Sequence, residues 1–436
     1  MNINTVTVLG ANGTMGCNIS GIFASFGNAK VYMVSRSMEK AEAAVAKAAQ
    51  SVKAEAVESN LIPCDYSMLE KCVGESDLIF ESVAETFDAK ESIIAKIAPF
   101  IKKKTLIATG TSGLSITRLA EMLPEELRPY FFGMHFFNPP YSLTLCEIIP
   151  SLYTEHKVIE YIKCYAAQTL VRTVVEIRDD AAFLGNRIGF QFINEALQYA
   201  ERYKDSGGID YIDAILGQFT GRNMAPINTA DFVGLDVSKA VVDNIYQNTD
   251  DYAHETFIFP EYCCRLVREG KLGRKTGQGL YKSIKREDGR RITYVYDIES
   301  GEYRDKMTYS FPFSIKMIEH LKNGEYKRAM DVLTSNHSTE AQICLSFLIK
   351  YVLYSITAAK LVSDSAHAAD HVMAAGFGWA PPLSIIDALG GKYVFMKLAK
   401  ERLDPALIAK INVEETMAGI PAASTYDFRR YFKGKK

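Results

Sequence analysis

A histidine followed twelve residues later by a glutamate, His135 and Glu147, is the pair in this sequence best suited to proton transfer. His135 lies in Gly133-Met-His135-Phe-Phe-Asn138-Pro-Pro140, at the end of the apolar run Phe131-Phe-Gly-Met134, which reads as a buried strand. Imidazole titrates near neutrality and can take a proton from a hydroxyl. A carboxylate on its other ring nitrogen would fix the tautomer and stabilise the imidazolium. A second set of residues suits a phosphate ligand. The run Thr5–Leu9 leads into Gly10-Ala-Asn-Gly13-Thr14-Met15-Gly16, and a helix is expected from about residue 17 to 26. Glycines let a backbone approach a pyrophosphate, and a helix N-terminus offers N–H groups and a favourable dipole. The loop is one residue longer than G-x-G-x-x-G, but it stands at the first strand-to-helix junction, where a dinucleotide cradle belongs.

The next strand should end on an acid that accepts hydrogen bonds from a ribose. It ends instead on Val34-Ser35-Arg36-Ser37. An Arg can pair with a 2′-phosphate and a Ser can hydrogen-bond it, so the cofactor is NAD or NADP, with Ser35 and Arg36 favouring NADP.

These residues need a scaffold. Short β-branched runs alternate with helical segments over residues 1–180, which points to an α/β Rossmann-type domain with a parallel sheet and helices on both faces. Its expected strands are 5–9, 30–34, 78–80, 105–108, 131–134 and 173–178. Helical patterns dominate afterwards. Residues 181–282 read as a first helical domain, in which Ile188, Phe192, Ala196 and Tyr199 share one helix face. Residues 283–339 read as a hairpin and linker, and 340–436 as a second helical domain. Pro226-x-x-x-x-Asp231-x-x-Gly234 and Pro382-x-x-x-x-Asp387-x-x-Gly390 share one spacing, so the two helical domains read as a duplication.

Composition excludes several classes. The chain has 436 residues, 48% hydrophobic and 23% charged, with 50 Lys plus Arg against 52 Asp plus Glu. That balance supplies no electrostatic reason to expect nucleic acid or an anionic membrane as partner. The N-terminus lacks a signal-peptide pattern, and the apolar run from Ile343 to Leu353 is broken by Lys350 and too short to span a bilayer. The eight cysteines are scattered and form no C-x-x-C pair, so no metal site or disulfide framework is expected and a cytoplasmic location fits.

With these motifs in place, the chain resembles the 3-hydroxyacyl-CoA dehydrogenases of fatty-acid β-oxidation. The His-Phe-Phe-Asn-Pro segment, Glu147, Asn186-Arg187 and Gly273-Arg-Lys-Thr-Gly-Gln-Gly-Leu-Tyr281 carry the likeness. The doubled helical region is similar to long β-oxidation proteins that also hold an enoyl-CoA hydratase domain, which is absent here. The resemblance implies that His135 is the catalytic base and Glu147 its orienting partner. It implies that Ser112 hydrogen-bonds the reacting oxygen, that Asn186 and Asn138 help hold the substrate, and that Glu85 and Lys90 flank the cofactor. It also implies an acyl-CoA substrate and a separate hydratase as a possible partner.

Two departures stand out. A family Asn is replaced by Gly110 in Thr109-Gly-Thr-Ser112, and a family Gly is replaced in Asp180-Ala-Ala-Phe-Leu-Gly-Asn186. Single-copy members resemble homodimers joined through the helical domain. Here the second copy is expected to pack on the first as an internal pseudo-dimer, without an active site of its own, leaving the protein a monomer. The rival readings are a dehydrogenase of a free hydroxy acid and a non-catalytic nucleotide-binding scaffold.

Overall fold

The computed structural model describes residues 2–52, 55–286 and 289–432. The chain divides into two compact units. One holds Met1–Phe183 together with Val362–Phe377, and the other holds Leu184–Leu361 with Gly378–Lys436.

In the first unit, the described residues form a sheet of eight strands. They are β1 (Thr5–Leu9), β2 (Lys30–Ser35), β3 (Leu61–Asp65), β4 (Leu78–Glu81), β5 (Leu106–Thr109), β6 (Phe131–Phe136), β7 (Leu145–Pro150) and β8 (Thr173–Glu176). Their order is β3-β2-β1-β4-β5-β6-β7-β8. The first six run parallel in the order of a doubly wound nucleotide-binding sheet. Alternate residues feed two apolar layers: Val31 and Met33 of β2 join one cluster, and Tyr32 and Val34 join the other. That burial on both faces is why the strands read as continuous apolar runs.

The sheet is not wholly parallel, as the sequence suggested. β7 runs antiparallel to β6, with His135 directly opposite Glu147. Two strands were not anticipated. β3 contains Pro63, which weakens a strand pattern, and β7 carries Glu147 within its short apolar run.

The partition of the chain also differs from the expected one. Residues 362–377 fall within the expected second helical domain, yet they cluster with the first unit. The Arg178 N–H donates to the Val362 carbonyl at 2.7 Å, and the Ser363 hydroxyl donates to the Glu176 carbonyl at 2.8 Å. The segment therefore docks beside β8, the edge strand.

The second unit is helical around a three-stranded antiparallel sheet, formed by β9 (Tyr281–Lys285), β10 (Arg291–Tyr296) and β11 (Tyr303–Asp305). The expected hairpin is its β10–β11 part, and β9 is an addition. The helix Thr339–Val362 outgrows the short apolar run seen in the sequence. It is long and apolar enough to cross a membrane, but 72% of its most apolar window is buried within the chain. It packs on helix Gly185–Arg202 through Phe192, which meets Phe347 at 5.1 Å and Tyr351 at 5.9 Å between ring centroids. Arg222 is fully buried there, its guanidinium 3.7 Å from the Phe192 ring centroid and 4.3 Å from that of Trp379. Burial pushes its pKa down to about 10. Contacts of this kind join the expected first and second helical regions into one core.

The repeated Pro-Asp-Gly motifs build alike at the backbone. Helices Pro226–Val233 and Pro382–Ala388 both carry Pro in the first turn, and Gly234 and Gly390 have φ of 110° and 105°. Their aspartates differ. Asp231 is buried and accepts the N–H of Leu280 at 2.7 Å and that of Tyr281 at 3.2 Å, whereas Asp387 is exposed. The Gly273–Tyr281 motif is thus a wrap around Asp231. A Cβ on Gly279 would stand 2.5 Å from the Asp231 carboxylate.

Asp213 is likewise buried, accepting the N–H groups of Ile227 and Asn228 at 2.8 and 2.9 Å and the Tyr281 hydroxyl at 2.6 Å. Burial raises both carboxyls to about 6, and the hydrogen bonds only partly oppose it. An acid whose folded pKa is raised costs stability once it ionises, so stability falls as pH rises from about 4 to about 6. Between about pH 5 and about pH 7 each carboxylate should remove on the order of 1 kcal/mol. Urea unfolding at the two pH values checks this: the midpoint should be lower at the higher pH, and a higher midpoint there would contradict it.

Candidate active site

The C-terminal ends of the parallel strands gather the candidate residues at one edge of the first unit. After β1 the chain turns through Gly10, whose φ of 79° favours glycine. A Cβ there would lie 2.5 Å from the Ser82 carbonyl oxygen, and one on Gly16 would lie 2.5 Å from the Gly10 carbonyl oxygen. Helix Thr14–Ser25 starts from Gly13 without a side-chain cap. The backbone is therefore bare and its first N–H groups are uncovered by any cap, as an anion-binding turn requires.

Beside this turn lies a cleft of about 460 Å³ lined by Gly10, Gly13, Ser35, Arg36, Tyr66 and Lys96, among others. Among the described residues that line it, Arg36 and Lys96 are charged and none is acidic. Ser35 is 1% exposed, and its hydroxyl has no hydrogen-bond partner among the described residues. A buried hydroxyl without a partner is costly unless a ligand supplies one. The bare glycines and the orphaned hydroxyl fit a dinucleotide. Of the other expected cofactor residues, Thr14 and Met15 stand in the first turn of the helix, and Gly16 packs against the loop backbone.

Glu85 and Lys90 do come together, with Lys90 Nζ 3.4 Å from Glu85. The stronger partner is one the sequence did not suggest. Lys90 is 1% exposed and donates to both oxygens of Glu81, at 3.0 and 2.9 Å. Glu81 ends β4 and also accepts the Thr109 hydroxyl at 2.6 Å and the Val83 N–H at 2.7 Å. Glu85 accepts the Thr111 hydroxyl at 2.5 Å and the Ser112 N–H at 2.7 Å. These bonds tie the loop after β5, which carries Ser112, to the loop after β4. Asp179 holds the far end of the loop, accepting the Ser115 hydroxyl and the N–H groups of Ile116 and Thr117 at 2.8–2.9 Å. Gly110, which departs from the family pattern, has a steric cause: a Cβ there would stand 2.8 Å from the Phe80 ring.

The structure brings His135 and Glu147 together. The hairpin from β6 to β7 returns the carboxylate to the histidine, and His135 Nδ1 lies 2.7 Å from Glu147 Oε2. Both are buried, at 3% and 0% exposure. An Nδ1–H donated to the carboxylate leaves Nε2 as the basic nitrogen. Two phenyl rings flank the imidazole: Phe137 at 4.6 Å, nearly edge-on, and Phe183 at 5.4 Å.

Asn138 is exposed on the loop after β6. Asn186 is buried in the first turn of helix Gly185–Arg202 and belongs to the second unit. Before it, Ala182 and Phe183 adopt left-handed conformations with φ of 56° and 58°, a region that favours the glycine the family pattern carries there.

Residues 5–180 match the family profile described as 3-hydroxyacyl-CoA dehydrogenase, NAD binding domain, and residues 183–283 match that of the 3-hydroxyacyl-CoA dehydrogenase C-terminal domain. The chain belongs to the 3-hydroxyacyl-CoA dehydrogenase family. A probable 3-hydroxyacyl-CoA dehydrogenase of Bacillus subtilis is 30% identical over 326 residues, covering 74% of this chain but only 40% of that protein. The chain thus spans well under half the length of that relative. The mitochondrial hydroxyacyl-coenzyme A dehydrogenase of Sus scrofa is 30% identical over 294 residues, 64% of this chain and 91% of the relative. A 3-hydroxybutyryl-CoA dehydrogenase structure from Escherichia coli shares the fold over 95% of this chain and 99% of its own, with a TM-score of 0.67 at 22% identity. Members of the family thus share both the nucleotide-binding unit and, in the last case, the full extent of the helical region.

Proposed function

We propose that the chain is a 3-hydroxyacyl-CoA dehydrogenase that interconverts the 3-hydroxyl and 3-keto forms of an acyl-CoA. The observation that carries this reading is the buried His135–Glu147 pair at the strand edge that also holds the dinucleotide turn. His135 Nε2 takes the proton of the substrate hydroxyl as the carbonyl forms. Glu147 holds the ring tautomer and stabilises the imidazolium. Ser112, on its tied loop, donates to the reacting oxygen, and Asn186 with Asn138 holds the substrate. Gly10, Gly13 and the first turn of helix Thr14–Ser25 would hold the pyrophosphate of a nicotinamide dinucleotide, and Glu85 and Lys90 would flank it. When bound, the nicotinamide supplies the hydride acceptor, and reduction of a 3-keto thioester runs the same residues in reverse.

The protein is further proposed to be a monomer whose two helical regions form an internal pseudo-dimer, to work with a separate enoyl-CoA hydratase, and to reside in a reducing, cytoplasmic setting where its eight cysteines stay free. A rate measurement with acetoacetyl-CoA and with free acetoacetate tests the substrate class. Turnover should need the CoA thioester; equal rates on the free acid would favour the hydroxy-acid reading, and cofactor binding without turnover on either would favour a scaffold.

Within this reading the cofactor is NADP. Ser35 stands unpartnered where a ribose acid would stand, and Arg36 makes no ion pair among the described residues. Arg36→Asp should shift preference from NADPH toward NADH by roughly tenfold or more, the worth of a charge-assisted phosphate contact of about 1.5–3 kcal/mol. Rates with both cofactors check this. A wild-type preference for NADH that Arg36 variants leave unchanged would contradict it.

A further inference from the structure

Val362–Phe377 reaches the histidine loop from a part of the chain outside the residues that match the family profiles. After docking beside β8 it turns through helix Ala368–Val372 and the following turn Met373–Phe377. Its end stands on two residues of the β6–β7 hairpin. A Cβ on Gly376 would lie 2.6 Å from Leu145 Cδ2 and 3.5 Å from Phe137 Cδ1. The Phe377 ring lies 5.8 Å from the Phe137 ring. Phe137 in turn meets the His135 imidazole at 4.6 Å and an interplanar angle of 61°. The three rings form a row: Phe377, Phe137, His135.

Glu147 fixes one atom of the imidazole, but one hydrogen bond leaves the ring free to rock about that contact. Among the described residues, two aromatic rings lean on it and oppose the rocking. Phe183, the last residue of the first unit's long segment, leans on the ring at 5.4 Å. The other is Phe137, which is held only as firmly as whatever stands behind it. Phe137 is in a loop, Asn138 and Pro139 after it are exposed, and Gly376 and Phe377 pack against its ring.

We propose that Phe377 is a positioning residue for His135, acting through Phe137. The second helical region, expected to have no active site of its own, then supplies the back wall of one. This rests on the reading of His135 as the base, and the test separates the two. A displaced base loses rate steeply with distance, by up to about a hundredfold for 1 Å. A wall two rings removed should act more weakly, so Phe377→Ala is expected to lower kcat about tenfold and leave KM for acyl-CoA and cofactor within about twofold. Phe377→Leu, which keeps an apolar body behind Phe137, should restore most of the rate.

The decisive experiment is a cycle with Phe137→Leu, read by kcat and by the NMR signal of the His135 Nδ1 proton, assigned by its loss in His135→Gln. If the row transmits the effect, Phe377→Ala should lower kcat and broaden or move the proton signal in the wild-type background. It should do neither in the Phe137→Leu background. Equal effects in both backgrounds, or an unchanged kcat and proton signal, would overturn the proposal. Should the Ala variant fail to fold, Phe377→Val takes its place in the same cycle with the same two outcomes. An inactive wild type would refute the dehydrogenase reading alone, because the proton signal still decides whether Phe377 holds His135.

Discussion

His135→Gln is expected to keep the fold and cofactor binding and to lower turnover by roughly 10²–10⁴, the usual range for loss of a general base. Gln keeps a polar side chain of similar reach, but it has no nitrogen that can take up the proton. Glu147→Gln should act through the same imidazole. Its amide can still meet Nδ1, yet it neither selects the Nδ1–H tautomer nor stabilises the imidazolium. Residues that work as a unit are strongly non-additive. The double variant should therefore be little slower than the slower single variant. Steady-state rates on the four proteins check this, and losses that multiply in full would show that the 2.7 Å contact does not couple the two residues in catalysis.

Lys90→Met is expected to be the most destabilising single change near the cofactor cleft. It removes the ammonium that Glu81 holds through both carboxylate oxygens, where the two side chains are 1% and 5% exposed. A carboxylate left buried without its cation costs about 3–5 kcal/mol, far more than loss of a surface ion pair. The Thr109 hydroxyl and the Val83 N–H remain as donors, so the lower half of that range is the better expectation. Glu81→Gln in the same chain removes the stranded charge and should recover much of the loss. Urea unfolding of the single and double variants decides it. A single variant as stable as wild type would mean that water or a relaxed Glu81 side chain replaces the ammonium at little cost.

Some of this was legible in the sequence for definite physical reasons. Strands buried on both faces read as apolar runs, so five of the six parallel strands could be seen. The resemblance implied the pairing of His135 with Glu147, which the β6–β7 hairpin places opposite each other. The glycine turn was visible because its backbone tolerates no Cβ. Other features had no local signal. Glu81 is the last residue of a strand and looks like the start of a surface loop. Lys90 lies on an otherwise amphipathic helix, and only the neighbouring strand end shows it to be buried. The docking of 362–377 beside β8 joins parts of the chain far apart in sequence, and neither propensity nor spacing encodes such a contact. The family glycine replaced before Asn186 left no sequence signal of the backbone conformation there. Ala182 and Phe183 both hold left-handed conformations, at a cost on the order of 1–2 kcal/mol per residue that the surrounding packing must offset.

The central claim is hydride transfer to C3 of an acyl-CoA. Its most direct test supplies the purified chain with acetoacetyl-CoA and NADPH deuterated at one face of nicotinamide C4, each face in turn, and weighs the product by mass spectrometry. The account predicts one deuterium on C3 of 3-hydroxybutyryl-CoA from one of the two faces, and a much slower appearance of that product with His135→Gln. Cofactor that binds but yields no deuterated product from either face, with NADH giving the same result, would contradict it.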